Sequence, residues 1–260
     1  MLRDLIPPGS SVRRSRSRWT AILRGLGAET MIRDLDTPAL VRWTMAETAR
    51  GLAPGTVNRR MMELRSALGR ARDLGHLAEI PRCPLLRDRH YRDRIATPEE
   101  VGAILEHLSP PMRLAVELAY WTALRRGEVC ALAWGQVDLE ARVIRVRAHQ
   151  TKTRRPRSVP ISVTLGAILE SRAGAPSDLV IGCRPQSLTE AFSRARSAAM
   201  IEGLRYHDLR HTALTRLRRA GVDLFTLAAI AGHTSMASMR RYQLVSEADL
   251  VLAADRLDPG

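Results

Sequence analysis

Along most of this 260-residue chain the apolar residues recur every three or four positions; in one stretch, residues 137–161, the period changes to two. The longer spacing gives a helix one apolar face, and a period of two does the same for a strand. The chain therefore reads as mainly α, an α+β arrangement in which helices carry one small antiparallel sheet. Within the exceptional stretch, Ile144, Arg145, Val146 and Arg147 alternate, and Arg157, Ser158, Val159, Pro160 and Ile161 alternate again. The polar run from Gln150 to Pro156 between them reads as the turn of a β-hairpin, with Lys152 near its tip.

The helical remainder carries recognisable start signals. Thr37 and Pro38 open one helix, with proline in a tolerated first-turn position. A longer helix starts at Thr56, and its stripe of Val57, Met61, Leu64, Leu68 and Ala71 is spaced for burial. Thr97 and Glu100 form a capping box, from which helices are expected over 98–108, 111–124 and 127–134. Beyond the hairpin the spacing predicts helices over 162–172, 187–201, 207–219, 223–231 and 235–250.

Charge divides the chain. Lysine and arginine total 41 against 27 acidic residues, a net charge of +14. Residues 1–94 hold 19 arginines and 10 acids, a net +9 on little more than a third of the length. A dense run of prolines and charges over 80–98 separates the halves, so a helical domain over 1–90 and a second domain over 95–260 are expected. So basic a chain points to a polyanionic partner, DNA or RNA first. Arg59, Arg60, Arg65 and Arg70 lie off the apolar stripe; the first three, with Arg126 in the second domain, are the candidate DNA-backbone contacts.

Other classes recede. An apolar fraction of 45% fills a real core, which argues against general disorder. No stretch approaches the roughly 18 uncharged apolar residues of a membrane span, and the first ten residues lack a signal-peptide core, so the cytoplasm is the expected location. Cys83, Cys130 and Cys183 are too few and too scattered for a disulfide framework or a cysteine zinc site.

Five short strings carry chemistry. They are Thr122-Ala-Leu-Arg125-Arg-Gly-Glu128, Thr151-Lys152-Thr153, His207-Asp-Leu-Arg210-His211-Thr212, Ala231-Gly-His233-Thr-Ser, and Arg240-Arg241-Tyr242. In this order they resemble the tyrosine recombinase, or phage integrase, family over about 95–250. The resemblance extends more weakly to 1–94, which look like the family's helical core-binding domain. It implies a site-specific recombinase that cuts and rejoins double-stranded DNA through a 3′-phosphotyrosine, without metal or cofactor. It also implies a homo-tetramer acting on two DNA sites.

The implied roles match what phosphoryl transfer to a side chain demands. Tyr242 would be the nucleophile; ionising a tyrosine at pH 7 costs about 4 kcal/mol at its reference pKa, so a base or a cationic surround must help. Arg125 and Arg210 would clamp the non-bridging oxygens, because a guanidinium donates two parallel hydrogen bonds and keeps its charge. His207, three residues before Arg210 and on the same helical face, would accept the tyrosine proton or hold the phosphate. His233 would hydrogen-bond the phosphate, and Glu128 would orient Arg125. Lys152 would protonate the departing 5′-oxygen. It is the only lysine among 41 basic residues, and arginine gives up a proton poorly. The family usually carries glycine where Ala123 stands; alanine in a helix would restrict the backbone mildly and displace Arg125 little.

Alternatives remain. A type IB topoisomerase uses a similar constellation, and a non-catalytic DNA-binding protein would share the fold. His207 and His211 mimic the zinc motif H-E-x-x-H, but aspartate is short for its base and no third ligand follows at the usual spacing. The tail from Val245 would dock on a neighbouring protomer or pack on its own chain.

Overall fold

The computed structural model describes residues 1–5, 12–87, 94–151, 154–233, 239, 242, 251 and 254, with the side chains of 12–15 excepted. The chain divides into two compact units, Met1–Arg92 and Asp93–Gly260.

The first unit is built on α1 (Val12–Leu26), α2 (Thr37–Ala49) and α3 (Pro54–Asp73). α2 starts where Asp36 accepts a 2.7 Å hydrogen bond from the Ala39 N–H, with Pro38 in the first turn. α3 starts two residues before the expected threonine, at Pro54, and its whole apolar stripe is buried. Of the stripe, Met61, Leu64 and Leu68 meet Trp19 and Ile22 of α1 and Leu40 and Trp43 of α2 in one core. Arg59 and Arg65 face outward. Arg60 does not, which corrects the expectation of an outward-facing cation. Its side chain is largely covered and pairs with Glu47, a buried carboxylate that also accepts from Arg50 at 2.9 Å. A carboxylate taken out of water needs a partner, and Arg60 supplies one.

The second unit contains α4 (Pro98–Glu106), α5 (Pro110–Thr122), the short α6 (Arg126–Cys130), strands β1 (Val137–Asp138), β2 (Val143–Val146) and β3 (Arg157–Pro160), then α7 (Val163–Glu170), α8 (Pro185–Ala198), α9 (Tyr206–Arg219) and α10 (Leu224–Ala231). The capping box at α4 is complete: Thr97 Oγ1 accepts from the Glu100 N–H and Glu100 accepts from the Thr97 N–H. The strands form an antiparallel sheet in the order β1-β2-β3, with Ile144 opposite Val159 and both fully buried. β1 extends the expected hairpin by one strand. At the turn, Thr151 is buried, donating to main-chain carbonyls and accepting from the Arg155 N–H; Lys152 itself lies outside the described residues.

α5 and α9 pack along one another. The Tyr206 hydroxyl donates to the Ala115 carbonyl at 2.9 Å, and the Arg216 guanidinium lies 4.5 Å over the rings of both Tyr120 and Trp121. Cys130 and Cys183, 53 residues apart, bring their sulfurs to 3.7 Å as free thiols, and burial pushes the Cys130 thiol up to about 12. The helix expected over 235–250 falls almost wholly outside the described residues. Among the described residues, no helix is long and apolar enough to cross a membrane.

Candidate active site

α5 stops at Thr122. The next residue, Ala123, is fully buried in the left-handed conformation, φ 58° and ψ 19°. The expectation of a helical alanine is thereby corrected. A Cβ at positive φ crowds the following carbonyl, at a cost of about 1–2 kcal/mol, and a glycine here would escape it. Thr122 braces the turn, donating to the Leu118 carbonyl and accepting from the Leu124 N–H at 3.3 Å. The turn aims the Ala123 carbonyl at α9, where Arg210 donates to it. The chain then runs extended into Arg125, the residue that precedes α6.

Glu128, on α6, is 4% exposed and is the hub of an arginine cluster. Its carboxylate accepts from the Arg125 N–H at 2.7 Å and from Arg125 Nη1 at 3.0 Å. It also accepts two bonds from Arg157 of β3, at 2.9 and 2.7 Å. Burial alone would raise this carboxyl, but the Arg157 bonds and charge, followed by those of Arg125, hold it below the usual range. Glu128 thus touches Arg125, as the sequence leads one to expect. Arg157 carried no such expectation.

The three guanidiniums converge on one helix end. Arg157 Nε donates to the Ile230 carbonyl at 2.8 Å, Arg210 Nη2 to Ala231 at 2.6 Å, and Arg125 Nη2 to Gly232 at 3.0 Å. The last carbonyls of a helix lack intrahelical partners and carry its negative end, so cations there are doubly favoured. Gly232 closes α10 at φ 63°, and a Cβ on it would meet Arg157 at 3.0–3.3 Å. His233, half-buried, follows directly. Arg210 is 5% exposed; burial and the neighbouring Arg125 bring its guanidinium down to about 10, still protonated at neutral pH.

Next to Arg210, His211 is also buried, and its Nδ1 lies 3.0 Å from the Tyr242 hydroxyl. The two rings are 5.3 Å apart. Tyr242 is 6% exposed, seated with Met239 among Ala213, Leu214, Leu227 and Ala231. The histidine against the tyrosine is therefore His211, not His207. His207 is exposed and opens, with Arg125 and Arg126, into a cleft of about 680 Å³ that Arg196 and Arg205 also line. Arg126, half-buried there, donates to Thr189. The structure thus gathers Arg125, Glu128, Arg210, His233 and Tyr242 around the end of α10 and sets His207 at the adjoining cleft.

The phage integrase family model matches residues 94–248, well over half of the chain and all the motifs above. The chain belongs to the phage integrase family. As a member it is a tyrosine-type site-specific DNA recombinase, which speaks against the topoisomerase and non-catalytic readings. It is 28% identical over 260 residues to the tyrosine recombinase XerC of Mycobacterium leprae, covering 90% of this chain and 87% of that protein. It is 26% identical over 199 residues to the integrase of Salmonella phage P22, covering 70% of this chain but about half, 51%, of that longer protein. In fold it is similar to the Tn1549 transposon integrase solved in complex with transposon right end DNA, with a TM-score of 0.72, 18% identity, and coverage of 98% of this chain and 99% of that one. This phage integrase family chain thus has the family's fold over nearly its whole length.

Proposed function

We propose that Tyr242 attacks a DNA phosphodiester held by Arg125 and Arg210. The new bond joins the tyrosine oxygen to phosphorus, and the bond to the 5′-oxygen breaks, leaving a 3′-phosphotyrosine and a free 5′-hydroxyl. One observation carries the reading: the Tyr242 hydroxyl lies 3.0 Å from a buried imidazole nitrogen, on a residue adjacent in sequence to Arg210. For Nδ1 of His211 to take the hydroxyl proton, the ring must hold its own proton on Nε2. His211 is accordingly the base, and His207, at the cleft, a phosphate ligand alongside His233. Lys152 protonates the leaving oxygen. Because phosphoester energy is retained in the phosphotyrosine, the 5′-hydroxyl of another strand reverses the step without a cofactor.

Exchange between two duplexes needs four strand cuts. With one nucleophile per chain, four protomers on two sites is the matching assembly, acting in the cytoplasm where the DNA is. The cleft lined by Arg126, Arg196 and Arg205 supports passage of the strand beside the reacting phosphate, and Arg59 and Arg65 neutralise backbone phosphates elsewhere.

The test is a pool of nicked duplexes carrying a randomised stretch, incubated with the protein and denatured, after which the covalently held DNA is sequenced. A recombinase yields adducts on 3′ ends that share a recoverable sequence. Adducts on 5′ ends, or none at all, would overturn the proposal.

A further inference from the structure

Arg157 stands out as a buried cation that the mechanism above does not use. Its side chain is 7% exposed and every nitrogen is engaged: Nη1 and Nη2 on Glu128, Nε on the Ile230 carbonyl. Glu128 is the same carboxylate that holds Arg125. Two guanidiniums therefore share one carboxylate, and the sharing is unequal. Arg157 takes two side-chain bonds, whereas Arg125 makes one, through Nη1, and reaches Gly232 with Nη2. Arg125 is also the more open of the two, 28% exposed and lining the cleft.

We infer that Arg157 is a positioning residue for strand cleavage: by occupying Glu128 it keeps that carboxylate from closing on Arg125, and so leaves Arg125 facing the phosphate. A carboxylate freed of Arg157 would pair bidentately with the nearest guanidinium, which is the strongest geometry open to both. That guanidinium is Arg125, which would be drawn inward and neutralised. The Nε bond extends the effect to α10, because Arg157 and Arg125 hold carbonyls two residues apart at the point where the chain leaves for His233 and Tyr242. The contact between Gly232 and the Arg157 side chain supports the same role. A Cβ at residue 232 would meet the Arg157 side chain, from Cδ to Cζ, at 3.0–3.3 Å.

This inference rests on the reaction proposed above, and a single set of measurements separates the two. The substrate is the nicked duplex recovered from the randomised pool, used at saturating concentration in single turnover with covalent adduct as the readout. Duplex affinity comes from mobility shift, and folding is followed by thermal melting. Arg157→Met should slow adduct formation at least a hundredfold with affinity within about threefold of the parent. Adding Glu128→Gln to Arg157→Met should recover at least tenfold of the lost rate, since an amide does not trap Arg125. A merely structural role forbids that recovery, because the double variant has lost both halves of the buried pair. An Arg157→Met protein that cleaves at the parent rate, or a folded double variant no faster than the single one, overturns the positioning role. Absence of adduct from the unaltered protein overturns the recombinase chemistry instead.

Discussion

The arginines of the two units do opposite things with the same chemistry. In the second unit Arg125, Arg157 and Arg210 are fixed by one carboxylate and four main-chain carbonyls, those of Ala123, Ile230, Ala231 and Gly232. In the first unit Arg59 and Arg65 stand in solvent on α3. A fixed guanidinium holds its donors where charge develops in a transition state and reorganises little during reaction. A solvated one contributes charge that any phosphate can use and salt can screen. Arg60 shows how little separates the classes: one residue from Arg59, it pairs with a buried carboxylate and belongs with the fixed set.

The comparison breaks most sharply at Arg210. Arg210→Ala should cost about 3–4 kcal/mol of transition-state stabilisation, a hundredfold to a thousandfold in adduct formation, with the duplex still bound. Equal losses from Arg59→Ala would erase the distinction. The buried hub comes next. Glu128→Ala leaves Arg157 covered without its counter-ion and should lower stability by about 3–5 kcal/mol, read as a reduced denaturant midpoint at unchanged slope. The same residue sets an acid dependence. Its folded pKa is depressed, so its stabilisation is present above the ordinary glutamate value of about 4.3 and is lost as pH falls through the lower folded value. Glu128→Gln should flatten the acid side of the stability–pH curve.

Smaller effects sharpen the picture. Ala123→Gly should stabilise the second unit by about 1 kcal/mol, a rise of a few degrees in melting temperature, by removing the left-handed alanine while leaving its carbonyl on Arg210. Arg59→Ala and Arg65→Ala should each reduce the slope of log affinity against log salt by about 1, and leave cleavage at saturating DNA unchanged. An altered cleavage rate with an unaltered slope would move them into the fixed class.

How much of this was legible in the sequence follows from where the information sits. The α3 stripe, the Thr97 capping box and the hairpin were visible because local spacing and short-range hydrogen bonds make them. Arg125, His207, Arg210, His233 and Tyr242 could be named because their motifs, taken in order, resemble those of the tyrosine recombinase family; no single spacing marks them. Arg157 was not: it follows Arg154 and Arg155 in a basic run, its carboxylate is 29 residues away and its other partner is a main-chain carbonyl. His211 was in plain view but tied to the zinc alternative, since the contact with Tyr242 comes only from the fold. Ala123 reads as helix because its neighbours are apolar, and the left-handed turn shows only once Arg210 claims its carbonyl. α1 was hidden by the arginine–serine run at its start, although Trp19, Ile22, Leu23 and Leu26 carry helical spacing.

The proposed reaction depends on Tyr242, whose hydroxyl lies 3.0 Å from His211 Nδ1, being the nucleophile that attacks DNA. The direct measurement is mass spectrometry of the proteolysed covalent complex formed on a nicked duplex, run in parallel on Tyr242→Phe. The expected product is a nucleotide attached through its 3′-phosphate to the peptide containing Tyr242, with no adduct in the phenylalanine variant. A nucleotide on any other residue, or an adduct that survives the substitution, would contradict it.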